Sequence, residues 1–143
     1  MSERGSTKRR SESAESRVLA EHAFEMARAL DIRTLLVQAD GLRDVRNVDR
    51  LRGDERIIWI RNEAEPERQR VASRRGDASV TIPESARARL SQIKLAMFVA
   101  LLEGHLELSE SVLCLSGVVG SSRLDTMLVV NPKRDFPWFE KAS

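Results

Sequence analysis

The stretch that most constrains this chain is Ser109–Val130, Ser-Glu-Ser-Val-Leu-Cys-Leu-Ser-Gly-Val-Val-Gly-Ser-Ser-Arg-Leu-Asp-Thr-Met-Leu-Val-Val. Two apolar runs, Val112–Leu115 and Met127–Val130, flank a Gly- and Ser-rich turn at Ser116–Arg123. A Val- and Leu-rich run without polar alternation reads as a strand covered on both faces, in the middle of a sheet. Ser116–Ser122 then falls at the sheet rim, where ligands bind in α/β folds. Only about a dozen residues separate the centres of the two runs, too few for a parallel crossover. The last run is therefore expected to lie antiparallel to its neighbour or at an edge.

Upstream, helical and strand patterns alternate. Residues 1–15 are mostly Ser, Glu, Lys and Arg and are expected to form a disordered tail, because they have almost nothing to bury. Lys8-Arg9-Arg10 reads as a solubilising feature or a contact for an anionic partner. From Ser16, the spacing of Leu19, Ala23, Met26 and Leu30 predicts a helix with that stripe toward the core. Thr34–Ala39 reads as the first strand, ended by Asp40-Gly41. Leu42, Val45, Val48 and Leu51 fit a short amphipathic helix, and Ile57–Ile60 a second strand. Arg61–Asp77, rich in Glu and Arg, reads as a solvated loop before a third strand at Ala78–Ile82. Pro83-Glu84-Ser85 is expected to open the longest helix, which Gly104 would cap. Its second half, Ile93–Leu102, is apolar nearly all round except for Lys94. Such a helix is expected to be buried on more than one side, against the sheet and a second subunit or domain.

This order of elements predicts an α/β/α three-layer sandwich with a mainly parallel five-stranded sheet and an antiparallel last strand. The 143 residues are enough for one domain, placed at 16–131. Tyr is absent, so the core must be aliphatic, and Cys114 inside an apolar run reads as a buried thiol in a reducing compartment. No apolar stretch is long enough to span a membrane, and the first residues carry no apolar signal region, so the expected setting is cytoplasmic. Residues 132–143 form an exit segment with Phe136, Trp138 and Phe139, half of the aromatic residues. These must pack on the domain itself, on a partner or on a following domain.

The formal net charge of +2 resides in residues 1–17, which hold five basic and three acidic side chains. The remainder balances at 19 of each sign, which removes the main support for nucleic-acid binding.

Chemistry has few candidates. Ser116-Gly117, Gly120, Ser121, Ser122 and Arg123 could offer backbone N–H groups, hydroxyls and a counter-charge to a phosphate. The loop lacks the Lys-Ser/Thr ending of a P-loop, and its glycines equally suit a tight strand connection. His22 and His105 stand 83 positions apart and with the single Cys form neither a metal set nor a triad. No catalytic constellation is visible, and no cofactor is expected.

Val18-Leu-Ala-Glu-His-Ala, the strand Thr34–Ala39 and above all Val112–Val130 resemble the C-terminal α/β domain of pyruvate kinases. A similar domain precedes the cyclase domain in a group of prokaryotic diadenylate cyclases of the DNA-integrity-scanning type, and Arg134-Asp-Phe-Pro-Trp-Phe139 resembles the linker leading there. In pyruvate kinases this domain is regulatory and often binds a phosphorylated effector. The resemblance implies contacts from Asp40, Gly41 and Arg43 after the first strand and from Ser116, Gly117, Gly120, Ser121, Ser122 and Arg123 in the late loop. Asp40 departs from the family's usual Ser/Thr there, and its carboxylate would repel a phosphate. The cyclase motifs Asp-Gly-Ala and Arg-His-Arg are absent, so this chain is not expected to make cyclic di-AMP itself.

The resulting expectation is a non-catalytic regulatory or interaction domain. It would self-associate or dock to a cyclase-type domain through the long apolar helix and Phe136, Trp138 and Phe139, without nucleic acid or membrane. The alternative is a small-anion or nucleotide sensor binding a phosphorylated molecule at loop 116–123.

Overall fold

A computed structural model describes residues 14–42, 46–63, 76–86 and 88–137. Its elements run α1 (Ala14–Ala29), β1 (Thr34–Gln38), a 3-10 turn (Ala39–Gly41), α2 (Arg46–Leu51), β2 (Arg56–Asn62), β3 (Ala78–Ile82), α3 (Arg89–Leu102), β4 (Val112–Ser116), β5 (Thr126–Val130) and α4 (Pro132–Asp135). The sheet order is β3-β2-β1-β4-β5. β1 pairs parallel with both β2 and β4, β3 pairs parallel with β2, and β5 runs antiparallel to β4. The five-stranded, mainly parallel α/β architecture is thus as expected, including the antiparallel last strand. The centre, however, is β1, and β4 lies one place from the edge. β1 and β4 are both buried at every position, so the apolar pattern alone could not rank them.

Side-chain alternation along the strands sends two apolar layers to opposite faces. Leu35, Val37, Ile57, Trp59, Leu113 and Leu115 meet α1 and α2 on one side. Leu36, Ile58, Ile60, Val80, Cys114 and Val130 meet α3 on the other. Cys114 is fully buried, and desolvation pushes its thiol up to about 12, which leaves it unreactive as a nucleophile.

The helices depart from expectation in two ways. In α1 the buried positions are Ala20, Ala23, Phe24 and Ala27, while Met26 and Leu30 are 38% and 54% exposed. The small Ala residues let the helix lie against the sheet with Phe24 as its one large fully buried side chain, while Met26 and Leu30 are turned outward. α3 begins only at Arg89, because Pro83–Ala86 forms a separate turn closed by Ala86 N–H to the Pro83 carbonyl at 3.0 Å. At 14 residues it is shorter than the 16-residue α1, and Glu84 is not in its first turn. Its end is as read: Gly104 has φ +78°, and the His105 and Gly104 N–H groups return to the Ala100 and Leu101 carbonyls in a Schellman motif. Its inner stripe is Gln92, Ile93, Ala96, Met97 and Ala100, and Leu102 stands 71% exposed on the outer face.

The chain leaves the sheet through α4, whose Asn131 side chain accepts from Arg134 N–H. Phe136 is buried in the α3-side layer. It packs on the domain's own core; Trp138 and Phe139 lie outside the described residues. Val45 and most of the Arg61–Asp77 stretch lie outside them too. Ala14 and Glu15, expected in the tail, are already helical.

Candidate functional site

From β1 the chain moves to β2 on one side, whereas β4 enters on the other. The carboxyl ends of β1 and β4 therefore diverge, and this is the topological switch point of the sheet. Gln38 ends β1 and Ser116 ends β4, adjacent in register. The structure thus brings Asp40 and Gly41 to the Ser116–Arg123 loop, while Arg43 lies outside the described residues.

A buried hydrogen-bond network fills the crevice. Gln38 Oε1 accepts from Gly117 N–H at 2.9 Å and from the Ser116 hydroxyl at 3.1 Å. Gln38 Nε2 donates to the Asp40 carboxylate, whose second oxygen accepts Gly120 N–H at 2.7 Å. From α3, Gln92 Nε2 donates to the Gly117 carbonyl at 2.8 Å. From α1, the fully buried Ser16 accepts Leu124 N–H at 2.8 Å. The chain's own carboxylate thus takes a loop N–H that an anion would need, and Gln38 takes another.

Gly117 is demanded by close approach: a Cβ there would stand 2.0 Å from the Arg123 carbonyl oxygen. Gln38, Gln92 and Arg89 were not singled out from the sequence. Gln38 left a weak signal, a polar residue closing an apolar run, and Gln92 another, an amide on the inner stripe of a helix.

Over the crevice, Arg89 of α3 donates two hydrogen bonds to Asp125, at 2.7 and 2.5 Å. The Arg89 hydrogen bonds hold the Asp125 carboxyl down at about 2, with Thr126 assisting, although partial burial opposes the shift. Asp125 is therefore tied to α3, and Asp40 is tied to Gly120; each carboxylate has its own partner. Ser121 and Ser122 lie on the outer turn, where Ser121 donates to the Val118 carbonyl at 2.7 Å. Arg123 reaches back toward Glu15 at 3.6 Å. Among the described residues no group of three or more His, Cys, Asp or Glu could hold a metal ion. No described helix is long and apolar enough to cross a membrane.

The family model for a probable sensor domain, DacZ_P, matches residues 15–133. The chain belongs to that family. A pyruvate kinase from Cryptosporidium parvum shares the fold with a TM-score of 0.61 at 19% identity, over 83% of this chain. The match takes in only 23% of that enzyme, so this chain corresponds to one domain of it. No curated protein sequence matches. The resemblance read from Val112–Val130, a pyruvate-kinase-C-terminal-like domain of the diadenylate cyclase group, is thereby borne out, and the family is described as a probable sensor domain.

Proposed function

We propose that this sensor domain is a non-catalytic regulatory module that docks through the outer face of α3 to a cyclase-type domain. The observation that carries the reading is the position of that face. Leu95 and Leu102, 36% and 71% exposed and seven residues apart, line the outer side of α3. The described chain leaves the domain on the same side of the sheet, through Phe136. A domain continuing from that exit would start on the side of the sheet that carries α3. That Gln38 and Asp40 take the Gly117 and Gly120 N–H groups supports a structural and signalling role for the crevice. The test is titration of the chain with a diadenylate cyclase domain, read by calorimetry. Binding lost in Leu102→Glu and kept in Val118→Glu, on the far loop, is the expected result. Binding that Leu102→Glu leaves unchanged, or no binding by the wild type, would refute it.

The second reading, a small-anion or nucleotide sensor at Ser116–Arg123 with Asp40 and Gly41, is favoured by the location of that loop at the switch point. Its ligand would have to displace Asp40 from Gly120 N–H. A thermal-shift panel of nucleotides and sugar phosphates tests it. Ligand at about 100 times its dissociation constant adds roughly 2.7 kcal/mol, a rise of about 10 °C for a domain of this size. A flat panel would end this reading.

A further inference from the structure

We infer that Asp40, the crevice loop and the first turn of α3 form one latch, through which the state of the crevice sets the state of the α3 outer face. Strand alternation starts it. Gln38 and Ser116 lie two residues after Leu36 and Cys114, so both point to the α3 side of the sheet. They place a buried amide and a buried hydroxyl beneath the start of that helix.

Polar ties then run both ways from the loop. Toward β1, Gln38 Oε1 accepts Gly117 N–H, and Asp40, itself held by Gln38 Nε2, accepts Gly120 N–H. Toward α3, Gln92 Nε2 donates to the Gly117 carbonyl, and Arg89 donates to Asp125 at the far end of the loop. Gly117 is therefore gripped at its N–H by β1 and at its carbonyl by α3. A loop that moves off one must move off the other.

The start of α3 depends on these ties. Its N-cap is Ala88, which offers no side-chain acceptor to the unpaired N–H groups of the first turn. That turn holds no acidic residue and instead carries Arg89 at the positive end of the helix dipole. Asp125 supplies the missing negative charge from the loop. Leu90, 50% exposed, belongs to this turn, and Leu95 follows it. The first turn is thus the element that opens when the loop is released and closes when Asp40 holds Gly120. A ligand that took Gly120 N–H from Asp40 would act along the same path. The consequence for docking rests on the reading of α3 as the docking face; the latch itself rests on the contacts alone.

Amide hydrogen exchange of the full chain, followed residue by residue by NMR, tests the latch without any cyclase domain, so its outcome is separate from that of the docking titration. Gln92 N–H bonds to the Ala88 carbonyl at 3.0 Å, so its exchange reports opening of the first turn. In Asp40→Ala, exchange at Gly120, Gln92 and Ile93 should quicken at least about fivefold, while Ile58–Ile60 in β2 change by less than about twofold. Coupling is reciprocal, so Gln92→Met, which leaves Asp40 in place, should quicken Gly120 in turn. Asp40→Asn keeps the side-chain shape and serves if Asp40→Ala does not fold. Gln92 and Ile93 unchanged while Gly120 is freed, an equal rise throughout β2, or Gly120 indifferent to Gln92→Met would each overturn it.

Discussion

Gly117→Ala is the sharpest probe of the switch-point crevice. The new Cβ would lie 2.0 Å from the Arg123 carbonyl oxygen and 3.1 Å from its carbonyl carbon, backbone atoms that cannot rotate away. Overpacking of this kind costs typically about 1–3 kcal/mol. Moving the loop also breaks the Gln38–Gly117 and Gln92–Gly117 hydrogen bonds, both buried, at about 1 kcal/mol each. A loss of about 3–5 kcal/mol follows, a large part of the roughly 5–15 kcal/mol that holds a domain together. In urea, with a slope of roughly 2 kcal/mol/M, the midpoint should fall by about 2 M. Gly104→Ala is the comparison, because φ is +78° there but nothing lies within 4 Å of the added atom. Strain alone should cost that variant about 1 kcal/mol. If Gly117→Ala unfolds within about 0.5 M of the wild type, the loop is not held against Arg123 as described, and the case for a packed, architectural crevice fails.

Two further perturbations probe its surroundings. Asp125 has a folded-state pKa of about 2 against an ordinary 3.8, so its pairing with Arg89 stabilises fully above the ordinary value and is lost as pH falls through about 2. Asp125→Asn should therefore cost about 0.5–1 kcal/mol at neutral pH, discounted because Arg89 is half exposed, and the gap to wild type should close by about pH 2; a gap that persists in acid would contradict this. Arg52 is buried between Asp77, at 2.8 Å, and Asp49, at 2.7 Å, and although burial lowers its pKa these partners raise it overall. Arg52→Met should cost about 3–5 kcal/mol by stranding the Asp77 carboxylate, and Arg52→Met with Asp77→Asn should recover part of it, since Asn can still accept from Ile57 N–H; equal denaturation midpoints for the two variants would refute the pairing.

Much of the fold was legible in the sequence. Five apolar β-type runs, the short β4–β5 connection and Gly104 as a helix cap each reflect local chemistry, so each could be read in one dimension. The candidate loop was legible as a composition, Gly and Ser between two strands, but its contents were not. Gln38 and Gly117 are 79 positions apart, and Asp40 and Gly120 are 80 apart, so their hydrogen bonds exist only because β1 and β4 are neighbours.

By itself, then, the sequence determined the strands, the antiparallel finish and the family, because periodicity and turn chemistry act over a few residues. Only the tertiary structure decided which face of α1 is buried: Ala20, Ala23, Phe24 and Ala27 face the sheet and Met26 and Leu30 do not. It also decided what Val112–Val130 does: β4 is not the sheet's centre, and its Gly-rich turn is drawn onto the chain's own Gln38 and Asp40. Strand order sets those neighbours, and strand order comes from packing both faces of the sheet at once.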